Sequence, residues 1–457
     1  MIKVSLSEAA EAVSGQLVGG DAEISSISID SRSVEPGCLF FAIMGENFDG
    51  HSFVKSAFAG GAVAAVVSRV PEDIGTPYIL VDDTRAALMS LAAHYRRKFD
   101  IPVVGLTGSV GKTTTKDMIA AVLSQKYSTL ATVGNLNNEI GLPQMCFMLD
   151  GATQAAVLEM GMSGFGEISR LSRCAAPTVG LITNIGVSHI EMLGSREGIL
   201  KAKLEIADGL AEGAPLLLNG DNDLLRTVDA NAAGGHPVKF YGIENDQSVC
   251  RAIHINEKED TIEFDILYQD EKYAAVLPVV GRHNIYNALA AFLCGMELEV
   301  TPEQAVCGLR EYTPDKRRQN ITHTAGITII EDCYNASPDS IAASVAVLRD
   351  IHAQGRRIAV LGDMLELGDH ARAAHHSCGE LLRDAGIDML FAYGRNAMYY
   401  IEGAGEAVAS RLYDDKASLT ADLLLELEPG DAVLFKASRG MKLEDCISGL
   451  YDGLNIK

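Results

Sequence analysis

The stretch GLTGSVGKTTTK, Gly105 to Lys116, decides the fold. It follows IPVV (101–104), a short apolar run that reads as a strand, and precedes DMIAAVLSQ, where Met118, Ile119, Val122 and Leu123 recur at helical spacing. Strand, glycine turn, helix is the setting in which the N–H groups of a helix start hold a phosphate. The strict Walker pattern asks for glycine where Leu106 stands. Its mechanically important half is intact. Gly108, Ser109, Val110 and Gly111 let the backbone approach a phosphate, Lys112 can reach the β and γ oxygens, and Thr113, followed by Thr114, offers a hydroxyl to magnesium.

The runs around the loop read as further strands of one sheet. AAVLEMG and TVGLITNIG are almost continuously apolar, the mark of strands covered on both faces. This predicts a doubly wound, mostly parallel sheet with ligands at the carboxyl ends of its strands. Glu159 ends one such strand and can serve as the second metal anchor that a nucleotide site needs. His189 follows the other, two strands on from the loop in sequence; it is either structural or a metal ligand.

Three α/β blocks follow from this pattern: residues 1–100 as a small α/β domain, 101–312 as the P-loop domain, and 313–457 as a second, Rossmann-like sheet. In the last block ITIIED, RIAVLGD, DMLFAYG and AVLFKAS read as strands. Pro302 fits the first turn of the helix that closes the middle block, and YTPDKRRQ (312–319) reads as a hinge. The histidine pair His375 and His376 lies in a predicted helix, where an exposed or capping role is expected. Arg96 to Lys98 mark a helix end, where cations suit the dipole.

With 457 residues, 47% of them hydrophobic and 22% charged, the chain has the composition of a folded protein of two or three domains. A formal charge of −23 argues against nonspecific nucleic-acid binding. No apolar run reaches the ~20 residues of a membrane span, and the N-terminus lacks a signal-peptide layout, so a cytoplasmic protein is expected. Nine cysteines without regular spacing predict reduced core thiols.

Several motifs occur together and in order: TGSVGKTTTK, NLNNEIGLP, EMG, TNIGVSH, KAKLEI, NGDN and GRHNIYNALAA. In this the chain resembles the Mur ligases, the ATP-dependent amino-acid and peptide ligases of peptidoglycan synthesis. The first-block DSR and FFAIMGENFDGHSF and the third-block DCYNASPDS and LGDMLELG resemble the branch that adds D-alanyl-D-alanine to UDP-N-acetylmuramoyl-tripeptide through an acyl phosphate. The alternatives are the branch adding the third amino acid, whose DNPR motif is absent, and a folylpolyglutamate ligase.

The resemblance implies ATP, two Mg2+ ions, and a monomer that enters neither membrane nor nucleic-acid complexes. It implies Lys112, Glu159, His189 and Lys203 as catalytic residues, with Thr113, Glu159, His189 and Lys203 at the metals. Lys203, favoured over Lys201 by the flanking LEI, would be carbamylated. Asn284 and Asn287 would lie near adenine, and Arg318, with Arg317 competing, and Asp332 would close on the nucleotide. Asp30, Ser31, Arg32, Asn47, Phe48, Asp49, Gly50 and His51 would hold the UDP-sugar. Asn137 and Asn138 would contact substrate, and Asn335, Ser337, Pro338, Lys436, Ser438 and Arg439 would stand near the incoming dipeptide.

Overall fold

The computed structural model describes residues 3–45, 48–70, 77–314 and 319–454. Every residue of Val103–Thr107, Ala155–Glu159 and Val179–Ile182 is buried, which explains their unbroken apolar character. They lie side by side in a nine-stranded sheet. Its order is Thr129–Ala131, Ala155–Glu159, Val103–Thr107, Val179–Ile182, Leu216–Asn219, Val238–Gly242, Cys250–Glu257, Ile262–Tyr268 and Glu271–Leu277. The first six pairings are parallel. The last two are antiparallel, a meander not foreseen from the sequence.

From Val103–Thr107 the chain builds outward on one side and then returns to Val179–Ile182 on the other. The strand order therefore reverses at the loop strand, and such a switch point opens a crevice beyond the carboxyl ends. The strand leading to His189, distant in sequence, is the loop strand's direct neighbour, with Ile182 opposite Thr107. The helix Lys112–Leu123 that follows the loop packs on His283–Glu297 and Pro302–Glu311. Pro302 is indeed the first residue of its helix, behind a capping box of Thr301 and Gln304.

Two smaller sheets flank this one. The N-terminal sheet runs Gln16–Val18, Tyr78–Leu80, Ala62–Val67, Cys38–Phe41 and Ser26–Ser28; only its first pairing is antiparallel. The run HSFVKSAFAG divides into a 3-10 turn, Gly50–Phe53, and a short helix, Val54–Ala59. The C-terminal sheet runs Asn320–Thr324, Ile327–Glu331, Ala432–Lys436, Arg357–Gly362, Met389–Tyr393 and Ala409–Tyr413, parallel after the first pair. The three α/β units expected from the sequence are all present.

The units are joined unequally. The helix Thr84–Arg96 of the first unit packs on Gly141–Phe147 and Glu167–Ala175 of the second, and one apolar core runs through both. Tyr95 packs against Phe147, and its hydroxyl donates to the Leu149 carbonyl at 2.8 Å. The C-terminal sheet keeps two cores of its own.

Arg96 does more than end a helix. It is buried and donates to the carbonyls of Ala175, Phe99 and Ile101, at 3.0, 2.7 and 3.2 Å. Arg96→Met keeps the bulk and strands three carbonyls, so it should destabilise the protein by about 3 kcal/mol, read as a lower midpoint in chemical denaturation. Of the exposed or capping role expected for His375, the exposed alternative is corrected: the ring is fully buried. Its Nε2 accepts from the Met364 N–H, and its Nδ1–H donates to the Ala371 carbonyl, so both nitrogens tie a loop to its helix. All nine cysteines are free, and all but Cys307 are buried.

Candidate functional site

The crevice at the switch point is a cavity of about 710 Å3, walled by the nine-stranded sheet on one side and the C-terminal sheet on the other. Gly111 starts the loop helix at φ 81°, a left-handed conformation that glycine adopts without strain. The first N–H groups of that helix have no partner inside it. They open on the cavity, which Gly111, Lys112, Thr113 and Thr114 line.

The loop is braced from behind. The Ser109 N–H donates to the Asn184 carbonyl (3.1 Å), the Val110 N–H to Asn184 Oδ1 (2.9 Å), and the Thr183 hydroxyl to the Val110 carbonyl (2.7 Å). The N–H groups of Ser109 and Val110 are thus occupied by the protein itself. Asn184 and Thr183 were overlooked in the sequence as single residues, although the TNIG run that carries them stands at a strand end facing the loop. The Lys112 ammonium lies at the mouth, 2.7 Å from the Gly108 carbonyl.

Glu159 is buried, and both of its carboxylate oxygens are held. Asn137 Nδ2 donates to Oε1 at 2.8 Å, and the Thr113 hydroxyl to Oε2 at 2.9 Å; Thr132 Oγ1 accepts from the Glu159 N–H. Asn137, read from sequence as a substrate contact, therefore steadies this acid. Asn138 accepts from the N–H groups of Ile140 and Gly141 at the start of the helix Gly141–Phe147. Both asparagines also line the cavity. Asn137→Ala frees one Glu159 oxygen, and on the expectation that Glu159 anchors a metal a drop of about tenfold in turnover is expected in steady-state assays, within the range for loss of a residue that orients such a ligand.

His189 sits at φ 63°, its Nδ1 2.9 Å from Glu366 Oε2 of the C-terminal unit. Burial, with Lys112 and Lys203 nearby, outweighs Glu366 and lowers its pKa. That favours the neutral imidazole, the form that binds a metal. Lys203 is 2% exposed and has no hydrogen-bond or ion-pair partner among the described residues. Burial, reinforced by the Lys112 charge, holds its pKa well below the usual lysine range. Lys201 is exposed, with its ammonium 5.8 Å from the Phe165 ring centre, so of the two lysines Lys203 reaches the cavity.

These residues fit a hard cation. A threonine hydroxyl bonded to a carboxylate offers two adjacent oxygens, with an imidazole on the same wall. Among the described residues no three His, Cys, Asp or Glu side chains cluster to hold an ion alone. Magnesium commonly takes one or two carboxylates and completes its shell with waters and phosphate oxygens.

Asn287 Oδ1 accepts from Thr115, and its amide donates to Asn284, which donates to the Val280 carbonyl; this chain ties the loop helix to the cavity's far wall. From the C-terminal side come Asp332, Asn335, Ser337 and Lys436. Burial would raise the Asp332 pKa, but the Lys436 ion pair and the Ser344 hydroxyl (2.7 Å) outweigh it and hold the carboxyl below its ordinary value. Ser337 caps the helix Pro338–Asp350.

Other expected residues stand apart from this cavity. Pro338 is the first residue of its helix, Ser438 is buried and accepts from the Leu365 N–H, and Arg439 pairs with Glu444 over the Tyr334 ring. In the first unit Arg32 forks onto Asp30, beside Ser31, and Asp30 lines a separate cavity of about 290 Å3. Asp49 accepts from the His51 N–H and pairs with its ring, while the Ser68 N–H donates to His51 Nε2; Gly50 is buried between them and the Phe48 ring is exposed. Asn47, Arg317 and Arg318 lie outside the described residues.

Comparison with known proteins agrees along the whole chain. Residues 23–96 match the Mur ligase family catalytic domain, 106–295 the Mur ligase middle domain, and 316–439 the Mur ligase glutamate ligase domain. A UDP-N-acetylmuramoyl-tripeptide–D-alanyl-D-alanine ligase of Bacillus subtilis is 41% identical, with 99% of each chain aligned. A crystal structure of MurF from Acinetobacter baumannii superposes with a TM-score of 0.91 at 33% identity, covering 97% of this chain and 98% of that one. MurF ligase from Thermotoga maritima in complex with ADP gives 0.85 at 29% identity, covering 94% and 98%.

Proposed function

The chain belongs to the Mur ligase family, and on that footing we propose that it joins D-alanyl-D-alanine to UDP-N-acetylmuramoyl-tripeptide with ATP, giving the pentapeptide, ADP and phosphate. It would act as a cytoplasmic monomer in the synthesis of peptidoglycan precursors for the cell wall. The observation that carries this reading is the single cavity in which Lys112, Glu159, His189 and Lys203 face Asp332, Asn335 and Lys436 from another sheet. A nucleotide at the loop and an acceptor from the C-terminal side would meet there.

The roles of the parts follow from the chemistry. A carboxylate resists attack by an amine, so it must first take the γ-phosphoryl group. Lys112 stabilises the charge that spreads over the phosphoryl oxygens, and a fixed cation does so without reorganising. Thr113, Glu159 and His189 would hold magnesium, which screens the repulsion between phosphate and carboxylate. Lys203, without a partner among the described residues, would complete the oxygen set as its carbamate, whose charge is opposite to that of the ammonium. The dipeptide amine, with a pKa of about 8, is neutral in about a tenth of molecules at pH 7, enough to attack without a strong enzymatic base. Asn284, Asn287 and Asp332 would hold the nucleotide, and Asn335 and Lys436 would approach the dipeptide. Residues 1–100, with Asp30 and Arg32, would hold the UDP-sugar. The test is phosphate release that requires both UDP-N-acetylmuramoyl-tripeptide and D-alanyl-D-alanine; release indifferent to the dipeptide would defeat the proposal.

A further inference from the structure

The helix Pro338–Asp350 starts on the seam between the C-terminal and central units, and its second residue, Asp339, reaches across that seam. Asp339 Oδ2 accepts from the Val187 N–H at 3.3 Å. It also lies directly over Gly186: a Cβ there would fall 2.0 Å from Oδ2 and 2.9 Å from Cγ. Gly186 is not among the positive-φ glycines, so its backbone conformation does not demand glycine. The next nearest atom is Ser109 Cβ at 3.3 Å, which a shift of a few tenths of an ångström would relieve. A methyl at position 186 would therefore press on the carboxylate of another unit, the movable end of an exposed side chain, and would displace Asp339 from its seat.

The segment under Asp339 is the one that braces the phosphate loop. The Gly186 N–H donates to Ser109 Oγ at 2.9 Å, and Asn184 accepts from the N–H groups of Ser109 and Val110. Arg196, fixed by Asp223 and the Ile185 carbonyl, supplies a positive charge that interacts with Asp339. Glu366 and His189 meet on the same seam.

We propose that Asp339 is a positioning residue: its docking on Gly186 and Val187 registers the C-terminal unit against the strut of the phosphate loop, so that acceptor groups and loop are aligned together. The assignment rests on the ligase reading for its effect on turnover, but the docking can be read independently.

The test is a double-mutant cycle of Gly186→Ala and Asp339→Ala, with Asp339→Asn as the conservative variant, read by dipeptide-dependent phosphate release and by small-angle X-ray scattering with ADP. Each single alanine variant should lower kcat about tenfold, with KM for the UDP-sugar and the melting temperature little changed, a size expected of residues in contact. In the Asp339→Ala background, adding Gly186→Ala should cost less than about twofold, because the clashing group is gone. Asp339→Asn, which still accepts from Val187, should fall between wild type and Asp339→Ala. Equal cost of Gly186→Ala in both backgrounds overturns the proposal. In scattering, Gly186→Ala should enlarge the radius of gyration, but not when added to Asp339→Ala; no change in the single variant also overturns it. Wild-type protein without dipeptide-dependent release would defeat the ligase reading alone, leaving scattering to judge the docking.

Discussion

Lys203→Ala is expected to reduce dipeptide-dependent phosphate release by about a thousandfold, and small carboxylates such as formate should restore part of it. The magnitude is that of removing a preorganised electrostatic group from a phosphoryl-transfer site. A lysine that is 2% exposed, without a partner among the described residues and beside a second cation, is poorly suited to remain an ammonium. A neutral amine is the nucleophile that adds carbon dioxide, and the resulting carbamate is an anion with two oxygen donors. Wild-type protein incubated with 13C-bicarbonate should then show a carbamate carbon resonance that the variant lacks. Full activity of the variant without added carboxylate, or a wild-type spectrum without that resonance, would end the carbamate assignment.

Lys112→Met should cost a comparable factor, about a thousandfold in kcat, with a smaller loss of ATP affinity. A cation contributes most where charge spreads in the transition state and less to ground-state binding. Methionine keeps much of the length while removing the charge, and although the ammonium's bond to the Gly108 carbonyl is lost, Asn184 and Thr183 still brace the loop. Single-turnover phosphate release together with nucleotide binding by calorimetry separates the two effects. A variant that loses binding and turnover in equal measure would move Lys112 from catalysis to simple binding.

The sequence told most where burial leaves a one-dimensional trace. The loop strand and its two neighbours were legible because strands covered on both faces read as unbroken apolar runs. The meander from Cys250 to Leu277 was missed: its faces alternate between buried and half-exposed residues, and a polar turn, KEDT, interrupts it. That a strand reaching His189 would lie next to the loop could not be read from order alone, since the chain builds outward before returning. Residue types at the site were visible, but their pairings were not. Asn137 and Asn138 are neighbours in sequence, yet one steadies Glu159 and the other caps a helix, a division set by the turn between them. Lys201 and Lys203, two positions apart on a helix, face different ways, and only packing shows which one is enclosed. Gly186 carried no signal at all, because the carboxylate that lies over it is 153 residues away in sequence.

The continuous core beneath Arg96 and Tyr95 welds the first two units into one half of a jaw, and the C-terminal unit, with cores of its own, forms the other. A small molecule lodged along the seam of Asp339 and Glu366 could act there as a wedge, since the contacts these two carboxylates make across it are polar. The same compound aimed at the junction of the first two sheets would have to pry open hydrocarbon and would meet a solid hinge pin. Inhibitor campaigns seeking to jam the machine should therefore target the third lobe's edge.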